Sequence, residues 1–73
     1  MNDSDFRQRL IQARVMKGLS QRALAEELGL KSDGYITNIE KGRKSPNHRL
    51  LADIGLVLGC SVDYLLYGKK INA

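Results

Sequence analysis

At 73 residues, 42% hydrophobic and 27% charged, the chain has room for one small domain but not for a second, ligand-sensing domain or a large catalytic cleft. Its formal net charge of +4, from twelve Lys and Arg against eight Asp and Glu, is a moderate excess that many soluble proteins carry, so charge alone assigns no partner. No apolar run nears the roughly 20 residues of a membrane span; the polar start Met1-Asn2-Asp3-Ser4-Asp5 is not a signal peptide; and the single Cys60 excludes an internal disulfide and argues for a reducing, cytoplasmic compartment.

The pattern is helical throughout, without strand-like alternation and with frequent glycine punctuation. A first helix is expected from about Ser4 to Lys17, capped by Ser4 or Asp3, with Phe6, Leu10 and Ala13 as a narrow apolar stripe and Gly18 as its stop. Ser20 caps a second helix. Leu19 before the cap and Leu24 at the fourth helical position form a hydrophobic staple; Leu24, Ala25 and Leu28 make the inner face, and Gly29 ends the helix. After a turn of three or four residues, a third helix starts from an N-cap at Ser32 or Asp33 and reaches Lys41. Ile36 and Ile39 face inward, Tyr35 lies at the edge, Gly34 weakens the first turn and Gly42 is the stop. Arg43-Lys44-Ser45-Pro46 is a loop. Asn47 caps a fourth helix to about Leu58, with Leu51, Ile54 and Leu58 toward the core, and Gly59 ends it; Ser61 caps a short fifth helix, Val62 to Tyr67, closed by Gly68. Residues 69–73 read as a frayed tail. The expectation is an all-α, compact five-helix single domain spanning residues 1–73, its core at about 4–68, with a helix-turn-helix formed by the second and third helices.

The run Lys17-Gly18-Leu19-Ser20-Gln21-Arg22-Ala23-Leu24-Ala25-Glu26-Glu27-Leu28-Gly29-Leu30, followed by Tyr35-Ile36-Thr37-Asn38-Ile39-Glu40-Lys41-Gly42, resembles the lambda-repressor-like (Cro/XRE) helix-turn-helix family. The likeness continues through Pro46, the Leu-rich fourth helix ending Leu58-Gly59, and Ser61-Val62-Asp63-Tyr64-Leu65-Leu66, so it covers about Phe6 to Gly68. Its pieces are weak singly and specific together. The resemblance implies sequence-specific binding of double-stranded DNA as a homodimer on a palindromic operator. It also implies control of transcription, by a phage-type repressor or a restriction–modification controller. The spacing from Gly29 to Glu40 is about one residue longer than the family's usual, an insertion near Leu30 to Asp33.

A major groove about 12 Å wide accepts one α-helix. Leu24, Leu28, Ile36 and Ile39 hold that helix and are structural in any reading. Aligned back from Glu40, the resemblance places Ser32, Asp33, Gly34, Thr37 and Asn38 at the base-reading face. Asn38 can pair bidentately with adenine and Thr37 can touch a thymine methyl. Asp33 serves better as a cap than among phosphates, and Gly34, without a side chain, permits close backbone approach. The resemblance assigns Gln21, which opens the second helix, to a phosphate, and the partial positive charge of a helix N-terminus agrees; from the residues alone it reads equally well as an ordinary polar first-turn residue. Arg22 lies beside it, and Lys31 is at the rim. Tyr35 either aims its hydroxyl at a phosphate or is a half-buried edge residue. Lys41, Arg43 and Lys44 are expected to touch the phosphate backbone, adding affinity without sequence choice. Glu40 at a helix C-terminus opposes the macrodipole, so a partner is expected in Arg14 or Arg9.

Leu50, Leu56 and Val57 fall off the inner stripe of the fourth helix, and Tyr64, Tyr67 and Ile71 lie near the end; together they form a candidate homodimer surface. The plain alternative is that so short a chain cannot hide all its apolar surface. One His48 and one Cys60, with no CxxC, no HExxH and no phosphate-binding glycine loop, leave no catalytic constellation, so the chain does not read as an enzyme. No cofactor, metal, small-molecule ligand or membrane is expected. Cys60 reads as a small core or hinge residue, and His48 as facing solvent or the dimer contact. The rival class is a protein-interaction module, such as an antitoxin that binds a protein partner and autoregulates its own promoter. The basic loop and polar third-helix face favour DNA.

Overall fold

The computed structural model describes residues 3–68, with side chains from Asp5 onward; the expected tail, including Ile71, lies outside the described residues. Five helices follow in order: α1 (Asp3–Met16), α2 (Gln21–Glu27), α3 (Gly34–Glu40), α4 (His48–Leu58) and α5 (Val62–Tyr67). None among the described residues is long and apolar enough to cross a membrane.

Three of these helices start alike. Ser20, Asn47 and Ser61 hold extended backbone, with ψ of 168°, 171° and 151°, which swings each side-chain oxygen over the first turn. There they accept from the amides of Ala23, Leu50 and Tyr64 at 3.0, 2.8 and 2.9 Å. Each cap satisfies an amide that the helix cannot, worth about 1 kcal/mol. The α3 start differs. Asp33 has helical dihedrals, φ −76° and ψ −10°, and makes no side-chain capping bond. The capping role expected of Asp33 is therefore corrected: its backbone already follows the helix, so the carboxylate is not aimed back at the first amides.

The α2–α3 connection is also longer than expected, running over residues 28–33. Gly29, at φ +74°, lets its own amide donate to Glu26 O and the Leu30 amide to Ala25 O, at 3.1 and 2.9 Å. This paired closure consumes Leu28 to Leu30 and tucks Leu30 against the core. The same closure ends α3: Gly42 N donates to Ile39 O at 3.0 Å and Arg43 N to Asn38 O at 2.9 Å. It stops α3 at Glu40, one residue before the expected end.

Leu10, Leu24, Ile36, Ile39, Ile54 and Leu65 are fully buried, each contributing about 1.5–3 kcal/mol by leaving water. They join α1 to α3 and α5, α2 to α3, and α4 to α5. Leu51 is half-buried and packs against the core as expected, and Gly55 is buried as well. A Cβ at Gly55 would stand 2.7 Å from the Cys60 carbonyl, so α4 and the segment after it meet backbone to backbone. Arg9 ties α1 to α5: its Nε and Nη2 donate to the carbonyls of Leu65 and Leu66 at 2.9 and 2.8 Å, where a cation favours a helix C-terminus.

Candidate nucleic-acid interface

The rear of α3 is anchored by a buried carboxylate. Glu40 is only 8% exposed, and a charge so buried needs partners. Arg14 supplies two of them, Nε to Oε2 at 2.7 Å and Nη2 to Oε1 at 3.2 Å, while its Nη1 donates to Leu19 O at 2.9 Å. Of the two arginines that the sequence offered, Arg14 is the partner; Arg9 is engaged at α5. Gln21 Nε2 donates to Glu40 Oε1 at 2.8 Å, and Gln21 Oε1 accepts from Thr37 Oγ1 at 2.8 Å. An ionised carboxylate only accepts, so the Gln21 amide must turn its nitrogen to Glu40 and its oxygen to Thr37. One Nε2 hydrogen is thereby committed, and the other is what the Gln21 side chain has left for a phosphate. Thr37 Oγ1 also lies 3.2 Å from Asp33 O.

Inward burial of Ile36, Ile39 and Glu40 sets the rotation of α3. At 100° per residue, Gly34, Asn38 and Lys41 lie on the opposite side, with Thr37 on the flank toward Gln21 and Tyr35 on the other flank. Ser32, Asp33 and Gly34 are exposed; Thr37 and Asn38 are half-buried. Of the sequence-predicted base-reading residues, Gly34 and Asn38 share the outward side, Thr37 lies on its flank, and Ser32 and Asp33 are exposed in the approach to the helix.

Positive charge borders this side. Lys31, Lys41, Arg43 and Lys44 are all exposed, at the front rim and just behind the helix. Lys44 Nζ stands 4.5 Å from the centroid of the half-buried Tyr35 ring, a cation–π contact that ties the loop to α3. Arg22 beside Gln21 is exposed, with only a loose approach of 4.0 Å to Glu26, so its charge is not consumed internally. Arg7 of α1 was not singled out from sequence. Its guanidinium lies against Gly42, where an added Cβ would stand 3.0 Å from Arg7 Cζ, and its buried Nε has no hydrogen-bond partner among the described residues. No local pattern marks Arg7; only the packing of α1 on the loop after α3 brings it there.

The candidate dimer residues separate into two kinds. Leu56 and Tyr67 are strongly exposed, at 81% and 60%. Leu50, Val57 and Tyr64 are half-buried and pack against the core. His48 is exposed. Val15 and Met16, exposed at 61% and 87%, are apolar surface that sequence reading missed. Met16 lines a groove of about 610 Å³ between the end of α1 and the α4–α5 connection, with Leu58, Cys60 and Tyr64 on its other wall.

The helix-turn-helix family model matches residues 10–65. Two curated relatives come from Bacillus subtilis (strain 168). The chain is 38% identical over 63 residues to the SPbeta prophage-derived uncharacterized HTH-type transcriptional regulator YonR, covering 86% of this chain and 57% of that protein. It is 36% identical over 65 residues to the uncharacterized HTH-type transcriptional regulator YqaE, covering 89% of this chain and 55% of that protein. The chain thus spans little more than half the length of these relatives. Among solved structures, the clp gene regulator ClgR from Corynebacterium glutamicum superposes with a TM-score of 0.79 at 36% identity, over 88% of this chain and 67% of that one.

Proposed function

This chain belongs to the lambda-repressor-like (Cro/XRE) helix-turn-helix family of DNA-binding transcriptional regulators, and from that premise we propose that it binds a palindromic double-stranded operator as a homodimer. The observation that carries the reading is the outward side of α3. It offers Gly34, Asn38 and Lys41 away from the core, bordered by exposed Lys31, Arg43 and Lys44.

In this reading Asn38 and Thr37 read bases, with Ser32, Asp33 and Gly34 at the groove. Gln21, Arg22, Lys31, Tyr35, Lys41, Arg43 and Lys44 hold the phosphate backbone. Exposed Leu56 and Tyr67 support a second copy as the partner, because two-fold symmetry doubles a small half-site interface. The setting is a cytoplasmic regulator of the phage-repressor or restriction–modification-controller kind, acting without catalysis. Prophage origin is stated for one relative, which supports the first of these.

Selection of bound duplexes from a random DNA pool, with footprinting and sedimentation on the selected site, tests the proposal. The expected result is a two-fold symmetric sequence, half-sites about one helical turn apart and a dimer at tens of micromolar. A monomer that protects a single half-site removes the dimer; a pool that yields no enriched sequence removes specific binding. A second reading, a protein partner of the antitoxin kind, is favoured by one feature, the apolar groove beside Met16.

A further inference from the structure

Glycine is required by the fold at six of its seven positions. Gly18, Gly29, Gly42, Gly59 and Gly68 hold positive φ, and Gly55 admits the Cys60 carbonyl. Gly34 has neither reason. Its φ is not positive, and a Cβ there would meet nothing nearer than Ser32 Oγ at 3.5 Å, an ordinary contact. It occupies the first turn of a helix that no side chain caps. Alanine forms helix better than glycine, so the fold alone would favour a side chain at this position. Among the described residues, nothing requires the position to be bare.

We propose that Gly34 is a specificity-determining residue: its missing side chain lets a base-pair edge approach the α3 backbone at van der Waals distance, so that α3 seats deeper in the major groove than an alanine would allow. The inference rests on the DNA reading above. Gly34 is exposed on the same side of α3 as Asn38 and Lys41, turned away from buried Ile36 and Ile39. The occupant is a duplex rather than a second copy of the chain because exposed Lys31, Lys41, Arg43 and Lys44 outnumber the neighbouring Asp33 and match phosphate in sign. The surfaces rich in exposed apolar side chains, at Leu56, Tyr67 and Met16, lie on other helices.

The test is Gly34→Ala, with Gly34→Val as a larger step, read by thermal unfolding and by affinity for the duplex selected from a random pool. Gly34→Ala is expected to raise the unfolding midpoint by roughly 2–5 °C while weakening the selected duplex about tenfold, as overfilling a close contact does. Gly34→Val weakens it further. Binding to an unrelated duplex at low salt, held by phosphate contacts, changes less than about twofold. Opposite signs in stability and affinity are the signature, since a purely structural glycine would lose both. An alanine variant that binds the selected duplex as tightly as the parent chain overturns the proposal. So does one that lowers the midpoint, because the fold would then need the glycine. If the parent chain itself binds no duplex, the DNA reading fails first and this inference falls with it.

Discussion

At the rear of α3, Glu40 is 8% exposed and takes hydrogen bonds from Arg14 and Gln21, and the amides of Gly42 and Arg43 close the last turn on Ile39 and Asn38. At its front, Ser32, Asp33 and Gly34 are exposed, and no side chain reaches back to the first amides. One short helix is thus pinned at one end and open at the other. A buried charge without partners costs several kcal/mol, so the rear has to be fully connected. An exposed helix start can leave its amides to water, so the front is free to be shaped for something else. The other starts, at Ser20, Asn47 and Ser61, are all closed by a side chain. Among the four described starts, those of α2 to α5, openness is therefore particular to α3.

That contrast can be broken at several points. Removing the anchor has the largest expected effect. Glu40→Ala leaves the Arg14 guanidinium, its side chain 13% exposed, without its carboxylate, and about 3–5 kcal/mol of stability should disappear in urea or thermal unfolding. A loss below 1 kcal/mol would mean that the rear is not pinned by charge. Next, Asn38→Ala should weaken the selected duplex by about 1–3 kcal/mol and erase preference at one base pair when the selection is repeated. Uniform weakening across all sequences would move Asn38 to the phosphate contacts. Smaller still, Asn47→Ala should cost about 1 kcal/mol while Asp33→Ala stays within about 0.5 kcal/mol. Equal losses would erase the difference between closed and open starts. Least of all, Arg43→Ala should leave the unfolding midpoint in place and flatten the slope of log affinity against log salt by about one.

Much of this was legible from residue types because local chemistry decided it. Ser20, Asn47 and Ser61 each precede an apolar-periodic run, and each caps it. The inner residues Phe6, Leu10, Leu24, Ile36, Ile39 and Ile54 follow from periodicity and are buried. Glu40 advertised a need for a cation, and the choice between Arg14 and Arg9 waited on tertiary packing. Asp33 misled because a residue type suited to capping says nothing of its own ψ, which here is helical. The α2–α3 connection ran long because a glycine closure occupies residues on both sides of Gly29. Gly55 and Arg7 gave no signal, since both roles depend on segments far along the chain meeting: Gly55 with Cys60 after the helix end, and Arg7 with Gly42. The outward residues of α3 were identified by likeness to a family, and the burial of Ile36 and Ile39 gives them a common direction.

The chain of contacts from Thr37 through Gln21 to Glu40 has a sense as well as a shape. Every hydrogen in it points toward the carboxylate, which can return none. Thr37 has one hydroxyl proton and two internal acceptors for it, Gln21 Oε1 and Asp33 O, so a partner approaching that oxygen from outside must bring a proton of its own. Glu40→Gln would keep the outline while abolishing this directionality: an amide can donate as well as accept, the Gln21 head group could turn over, and Thr37 would be left with Asp33 O as its internal acceptor.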